Sequence, residues 1–281
     1  MQYLSTGTLY LVATPIGNLS DISARAINTL NQVDFIAAED TRVTRKLLEH
    51  FSIKKPVVSY YQHNACVSGE KILSRIIEGE SCALVTDAGT PAISDPGGDL
   101  VRICADASIP MVIIPGPCAV VAAVALSGLD SGRFTFEGYL SVDKKKRKSH
   151  LNELQTETRT MVLYEAPHKI IRTLADLFDA LGDRRMSISR EMTKIYEETL
   201  RISLSEAIEH FNHTPPRGEF VLVIEGAKHS DDSGDKLDEG IIYAKNLIDQ
   251  GLSIRDAVKK AADDIGCSRN SLYKIMIDES K

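Results

Sequence analysis

Four carboxylates, Glu39, Asp40, Glu165 and Glu191, each follow or close a short apolar run. At the end of a strand such a group can orient a hydroxyl or take its proton. Three cations, Arg42, His168 and Lys194, can face a phosphate or the alkoxide that develops as a hydroxyl reacts. Each of these residues also has a plainer use. Asp40 or Thr41 can cap a following helix, Arg42 can pair with an acidic neighbour, and His168 can cap a helix starting near 168. Asp87 can shape an Asx-turn. The chain has no His/Asp spacing of a metal site, and no metal is expected.

Such groups act together only if strands bring them to one edge. Leu9 to Ala13 lead into Thr14-Pro15-Ile16-Gly17-Asn18, Phe35 to Ala38 into Glu39-Asp40-Thr41-Arg42, Cys82 to Thr86 into Asp87-Ala88-Gly89-Thr90-Pro91, and Met111 to Ile114 into Pro115-Gly116-Pro117. In an open α/β sheet the ends of parallel strands meet in one crevice, which places an active site there. The pattern predicts strands at 8–13, 33–38, 56–59, 82–86 and 111–114, alternating with helices at 23–31, 42–50, 66–78 and 97–107. That is a mainly parallel five-strand α/β domain over residues 1–116, with right-handed crossovers. Ser20 and Asp21 are candidate caps of the first helix, and Asp95-Pro96 reads as an N-cap followed by proline at the first helical position.

A small-residue helix, Ala119 to Ser127, leads into a second α/β domain over 117–227. Its strands are expected at 133–139, 160–164, 186–190 and 220–225, and its helices near 146–156, 168–181 and 203–211. Lys228 to Asp235 reads as a polar linker to a helical tail over 237–281. In the tail, Ile254 to Ile265, the turn Gly266-Cys267-Ser268-Arg269 and Asn270 to Ile277 form a helix-turn-helix pattern. Its stripe is Ala257, Ala261, Ile265, Leu272, Tyr273 and Met276. This tail is read either as a helical cap or as a nucleic-acid contact.

Composition narrows the classes. A net charge of -6 gives no global positive field to steer nucleic acid, so any RNA contact must be a local patch. One such run exists, Lys144-Lys145-Lys146-Arg147-Lys148 with His150 beyond it; it can be a solvated face or can neutralise several phosphates with salt-sensitive binding. Five scattered cysteines without a C-x-x-C pair point to reduced, mostly buried thiols in a cytoplasmic protein. The N-terminus lacks a basic leader, and no apolar run reaches the roughly 20 residues that span a bilayer, so no membrane is expected. Neither G-x-G-x-x-G nor G-x-x-x-x-G-K-[ST] is present, which disfavours a nicotinamide enzyme and a P-loop NTPase.

Val12 to Leu19, Ala38 to Arg42, Asp87 to Gly97, Tyr164-Glu165-Ala166-Pro167-His168 and Arg190 to Lys194 together resemble the family of 16S ribosomal RNA cytidine-2'-O-methyltransferases, built on the tetrapyrrole (corrin/porphyrin) methylase fold. The resemblance covers nearly the whole chain. It implies two α/β domains with S-adenosylmethionine folded in the cleft between them, a homodimer, and a substrate cytidine in 16S RNA of the 30S subunit near the decoding centre. By position it assigns the cofactor to Pro15, Gly17, Asp87, Gly89, Thr90, Pro91, Ile93, Cys118, Ala119, Glu165 and Met192. Thr90 stands where small-molecule tetrapyrrole methylases carry the Asp of a G-D-P loop, as the RNA branch does. Cys118 stands where that branch often has Ser, and Ser141-Val142-Asp143 replaces a more usual Leu-Pro beside the basic run.

The implied chemistry demands in-line alignment of a sulfonium methyl with a weakly nucleophilic 2'-OH, on a nucleotide splayed out of its helix. A base or an alkoxide-stabilising cation helps, and Glu39, Asp40, Arg42 and Lys194 are the candidates. Lys144 to Lys148 and His168 are the candidate RNA contacts. A small-molecule methylase would need neither Thr90 nor the lysine run. A non-catalytic RNA-binding module would bind no cofactor.

Overall fold

The computed structural model describes residues 6–61, 65–228 and 232–278, and the chain divides into two compact units, Met1–Gly226 and Ala227–Lys281. The first unit opens with β1 (Leu9–Val12), α1 (Ala24–Gln32), β2 (Phe35–Ala38), α2 (Thr41–His50), β3 (Val57–Ser59), α3 (Ala65–Ile77), β4 (Cys82–Val85), α4 (Gly98–Asp106) and β5 (Met111–Ile114). The five strands are all parallel in the order β3-β2-β4-β1-β5. β2 and β4 are buried along their whole length, as unbroken apolar runs must be when helices cover both faces. Val12, Leu30, Ile36 and Val85 fill one face; Leu9, Phe35, Leu84 and Leu100 fill the other.

Two cap assignments from sequence are corrected. Ser20 and Asp21 lie in a short 3-10 turn whose cap is Asn18, and Ser23 caps α1 through a bond from the Ala26 N–H. Asp95 caps nothing: α4 starts at Gly98, with Gly97 in the cap position and no side-chain cap bond.

The unit continues with α5 (Ala119–Ser127), β6 (Phe134–Tyr139), α6 (Lys144–Leu154), β7 (Thr160–Glu165), α7 (Ile170–Leu181), β8 (Arg185–Arg190), β9 (Glu198–Ser203), α8 (Leu204–His213) and β10 (Phe220–Ile224). Here the order is β6-β7-β10-β8-β9. Only β6 and β7 run parallel; the remaining pairs are antiparallel, and β6 carries a bulge between Phe136 and Gly138. β9 was not expected from sequence. It is an edge strand of half-exposed, largely polar residues, which leaves no apolar run to read. Leu163, Leu174, Leu204 and Leu222 build the core on one face, and Val120, Val162, Met192 and Val223 build the other.

In the second unit α9 (Asp232–Asp249) packs with α10 (Ile254–Ile265) and α11 (Arg269–Asp278) around Ala244, Val258, Ala261, Leu272 and Met276. Gly266, at φ 74°, ends α10 in the left-handed conformation that glycine adopts without strain. The expected linker is corrected in part. Asp232 to Asp235 begin α9, Lys228 precedes it, and 229–231 lie outside the described residues. Most of the expected stripe is spent on the unit's own core, while Tyr273 stands exposed off that face.

Among the described residues Cys82, Cys104, Cys118 and Cys267 are free thiols, the first two buried; the Cys66 side chain lies outside the described residues. No described helix is long and apolar enough to cross a membrane.

Candidate active site

The ends of β1, β2, β4 and β5 are tied into one wall. The loop after β1 bonds the loop after β4 twice, from the Thr14 N–H to the Gly89 carbonyl at 2.9 Å and from the Gly89 N–H to the Thr14 carbonyl at 3.1 Å. Gly89 sits at φ 88°, where a side chain would be strained. The Thr14 hydroxyl donates to the Thr86 carbonyl at 3.1 Å, and the Thr90 hydroxyl to the Pro117 carbonyl at 3.3 Å. Thr86 in turn donates to Glu39 Oε2 at 2.8 Å, and the Asp40 N–H to Asp87 Oδ1 at 3.1 Å. Burial, followed by the charges of Glu39 and Asp40, pushes the Asp87 carboxyl above its ordinary value.

Residues 91–97 then make an unusual excursion. Ala92 and Ser94 adopt positive φ values of 69° and 61°, and Gly97 one of 137°. A Cβ on Gly97 would stand 2.9 Å from Leu84 Cδ2. Non-glycine residues in this region cost about 1–3 kcal/mol each and persist where function holds them. The excursion carries Asp95 into the cleft. Its carboxyl is pushed up to about 6, chiefly by burial and then by Glu39, with Asp87 and Glu219 adding to the effect and the Thr86 hydroxyl opposing it.

The opposite wall comes from the second sheet. Tyr139 at the end of β6 and Tyr164 on β7 meet at a tilt of 54°, 5.5 Å between centroids. The Tyr139 phenol is pushed up to about 12 by burial and by Glu219 and Asp95; Tyr164 is also raised, chiefly by burial. After β8, Glu191 and Thr193 take positive φ values of 51° and 65°. Lys194 Nζ reaches back to Glu191 at 2.9 Å, and Arg190 pairs with Glu198 at 2.6 Å. A Cβ on Gly17 would lie 2.6 Å from Lys194 Cγ, so this glycine gives room for the lysine stem where the walls meet.

Between the walls lies a cavity of about 750 Å³, within the roughly 300–1,000 Å³ of small-molecule sites. Of the residues expected from sequence it is lined by Glu39, Asp87, Gly89, Thr90, Ile93, Cys118, Ala119, Glu191, Met192 and Lys194. Sequence reasoning missed Ser94, Asp95, Tyr139, Tyr164, Ser189, Arg190 and Glu219, which also line it. Five carboxylates face the cavity, Glu39, Asp87, Asp95, Glu191 and Glu219, against two cations, Arg190 and Lys194, each already paired. Such a lining favours a compact cationic ligand and repels a polyphosphate.

Several expected residues stand elsewhere. Asp40 caps α2 by accepting the Arg42 N–H, and it grips the 84% exposed Arg42 guanidinium at 2.6 Å; these bonds hold its carboxyl at about 2. Neither residue lines the cavity, which corrects their assignment to catalysis. Pro15, Gly17 and Pro91 are not among the lining residues, and His168 is exposed beside the lining Pro167.

Glu165 is the clearest correction. It is 2% exposed and faces away from the cavity, where it accepts the Ala166 N–H at 2.8 Å and the Thr173 hydroxyl at 2.5 Å. Strand residues alternate faces, so once Tyr164 lines the cavity Glu165 cannot. Thr173 also accepts from Arg147 at 2.9 Å, and Arg147 pairs with Asp176 at 2.7 Å. Arg147 is therefore a strut between α6 and α7, its side chain 8% exposed, and leaves the RNA-facing set. Lys144, Lys145, Lys146 and Lys148 are exposed on the first turns of α6, so the basic run is helical. His150 pairs with Glu137 at 2.9 Å. No metal-holding cluster occurs among the described residues.

Residues 8–208 match the model of the Tetrapyrrole (Corrin/Porphyrin) Methylases. The chain is 44% identical to ribosomal RNA small subunit methyltransferase I of Synechocystis sp. over 97% of this chain and 98% of the relative. It is 43% identical to the enzyme of the same name from Halalkalibacterium halodurans, over 97% and 96%. Among solved structures, uroporphyrin-III C-methyltransferase from Thermus thermophilus, complexed with S-adenyl homocysteine, matches with a TM-score of 0.56 at 17% identity. The match covers 78% of this chain and 97% of that one, and it shows the shared fold.

Proposed function

The chain belongs to the tetrapyrrole (corrin/porphyrin) methylase family and within it groups with ribosomal RNA small subunit methyltransferase I, and from that membership we propose that it methylates 16S ribosomal RNA from S-adenosylmethionine. The acceptor in this reading is the ribose 2'-OH of one cytidine near the decoding centre. The observation that carries the cofactor in this reading is the acid-lined cavity between the two walls, and the RNA acceptor rests on the likeness to the ribosomal RNA methyltransferases.

The residues fit the cofactor. It is a net cation, with a sulfonium and an ammonium against one carboxylate, and the lining holds Glu39 and Asp87, carboxylates that no described cation pairs. When bound it supplies an electrophilic methyl group. Gly89, Thr90 and Ile93 on one side, Cys118 and Ala119 at the helix start, and Met192 on the other would hold it; Pro15 and Gly17 flank the lining Ile16, and Pro91 follows Thr90. Lys194, which Glu191 holds at the lining, is placed to face developing negative charge.

Affinity for RNA falls to α6. Four exposed lysines crowd its N-terminal turns, where the helix dipole already makes positive charge unfavourable, so they do not serve helix stability. They suit phosphates, and His168 adds a further exposed contact at the cleft mouth. The free edge β5, with Met111 and Ile113 exposed, and exposed Val121 and Leu126 on α5 support a homodimer. A cytoplasmic location follows from an RNA substrate of this kind.

Labelled methyl transfer to undermethylated 30S subunits and to naked 16S RNA, with the product nucleotide mapped, tests the reading. One labelled cytidine ribose is expected. Label on a base would overturn the 2'-OH assignment, and label only on a small tetrapyrrole acceptor would overturn the RNA reading.

A further inference from the structure

We propose that Asp95 is the group that takes the proton from the attacking hydroxyl, a role that rests on the methyl-transfer reading above. It is carried into the cavity by the excursion of residues 91–97, with positive φ values at Ala92, Ser94 and Gly97. Ser94 beside it comes close to Gly138 of the β6 bulge, where a Cβ would lie 3.2 Å from the Ser94 hydroxyl. The first wall therefore reaches the second at this loop.

The other carboxylates of the cavity are already engaged or lie at the rim. Glu39 holds the Thr86 hydroxyl, Asp87 takes the Asp40 N–H, Glu191 is paired with Lys194, and Glu219 is exposed. Asp95 faces the same Thr86 hydroxyl, whose proton goes to Glu39 at 2.8 Å, forms no ion pair among the described residues and is partly buried. The charged and titratable groups around it are Glu39 after β2, Asp87 after β4, Glu219 before β10, and Tyr139 and Tyr164 on β6 and β7. None of these is a cation, and the two cations of the cavity, Arg190 and Lys194, are paired with Glu198 and Glu191, so its carboxylate is not neutralised in advance. A base of this kind works best when its pKa is drawn toward the working pH. Burial and the neighbouring carboxylates draw the Asp95 carboxyl up to about 6.

The step balances. The O–H bond of the hydroxyl breaks and its proton goes to an Asp95 carboxylate oxygen. The oxygen lone pair forms the bond to the methyl carbon, and the pair of the broken S–C bond stays on sulfur. A carboxylate and a sulfonium become a carboxylic acid and a thioether, and the acid then loses its proton to water at the open cleft.

The test compares the full-length protein with Asp95→Asn and Asp95→Glu on 30S subunits. Asp95→Asn is expected to lower kcat by about a hundredfold or more while the calorimetric Kd for S-adenosylmethionine stays within about threefold. The wild-type kcat/KM profile should fall at acid pH with a midpoint near 6, a limb the residual activity of Asp95→Asn lacks, and Asp95→Glu should restore part of the rate.

Stability gives a readout free of activity. A carboxyl raised in the folded state binds more protons there than in the unfolded chain, so it weakens the fold as pH rises through this window. Asp95→Asn should therefore raise Tm at pH 7.5, and the gain should vanish below pH 4. An unchanged kcat, a retained acid limb, or a loss of cofactor binding equal to the loss of rate would each overturn the role. Absence of label from the wild-type protein would remove the reaction and this role together, whereas label from it with an unaffected Asp95→Asn variant would remove the role alone.

Discussion

The two walls of the cleft handle charge in opposite ways. On the first, Glu39 and Asp87 are held by a hydroxyl and a backbone N–H, and no cation meets them. On the second, Glu191 has Lys194 and Arg190 has Glu198. Parallel strand ends present loops whose polar groups satisfy each other across short distances, so their charge stays available to a ligand. The antiparallel wall pairs its two cations internally, leaves Glu219 exposed at the rim, and offers aromatic surface and a positioned lysine. One wall thus supplies electrostatics and the other supplies shape, and each division can be broken by a single substitution.

The largest effect should come from cutting the strut behind the second wall. Arg147→Met takes the donor from Thr173, which keeps Glu165, and the nearer of two cations from Asp176, which keeps Arg172 at 3.7 Å. Because Asp176 is partly exposed, the cost should be about 2–3 kcal/mol of unfolding free energy, below the range for a fully buried pair. Chemical denaturation measures it. The same variant sharpens the assignment of RNA contacts. Its RNA affinity should keep the wild-type salt slope, while neutralising Lys144, Lys145, Lys146 and Lys148 should flatten the slope by up to about 3 and leave stability nearly unchanged. A flattened slope in Arg147→Met would return that residue to the RNA surface.

These contrasts also mark what could be read in the chain itself. The first wall was legible because each apolar strand is followed at once by its loop residues, and parallel topology brings those loops to one edge without further information. Glu39, Asp87, Gly89 and Thr90 were found that way. The second wall depends on which antiparallel strands pair and on which face each residue points to, and β9 gives no apolar run by which to infer it. Tyr164 and Glu165 show the consequence, since a one-residue error in facing exchanges a cavity residue for a buried strut. Asp95 was hidden differently. Asp-Pro-Gly has the composition of a helix start, and only the backbone strain at Ala92, Ser94 and Gly97 reveals that the helix begins later.

The smaller effects test the charge division directly, by removing one carboxylate from each wall and measuring cofactor affinity. Glu39→Gln takes away a charge that nothing on the protein neutralises, and a charged contact of this kind is worth about 1.5–3 kcal/mol. The Kd for S-adenosylmethionine should rise at least tenfold, since about 1.4 kcal/mol corresponds to a factor of ten. Glu191→Gln removes a charge already matched by Lys194, and it frees that cation beside a cationic ligand. The exposed pair is worth at most about 1 kcal/mol, so the Kd should change by less than about fivefold. Calorimetry at low and moderate salt separates the two variants. Equal losses would mean that both walls contribute charge to the ligand; a larger loss for Glu191→Gln would place the cofactor's cation against the second wall and leave the first as a scaffold of loops.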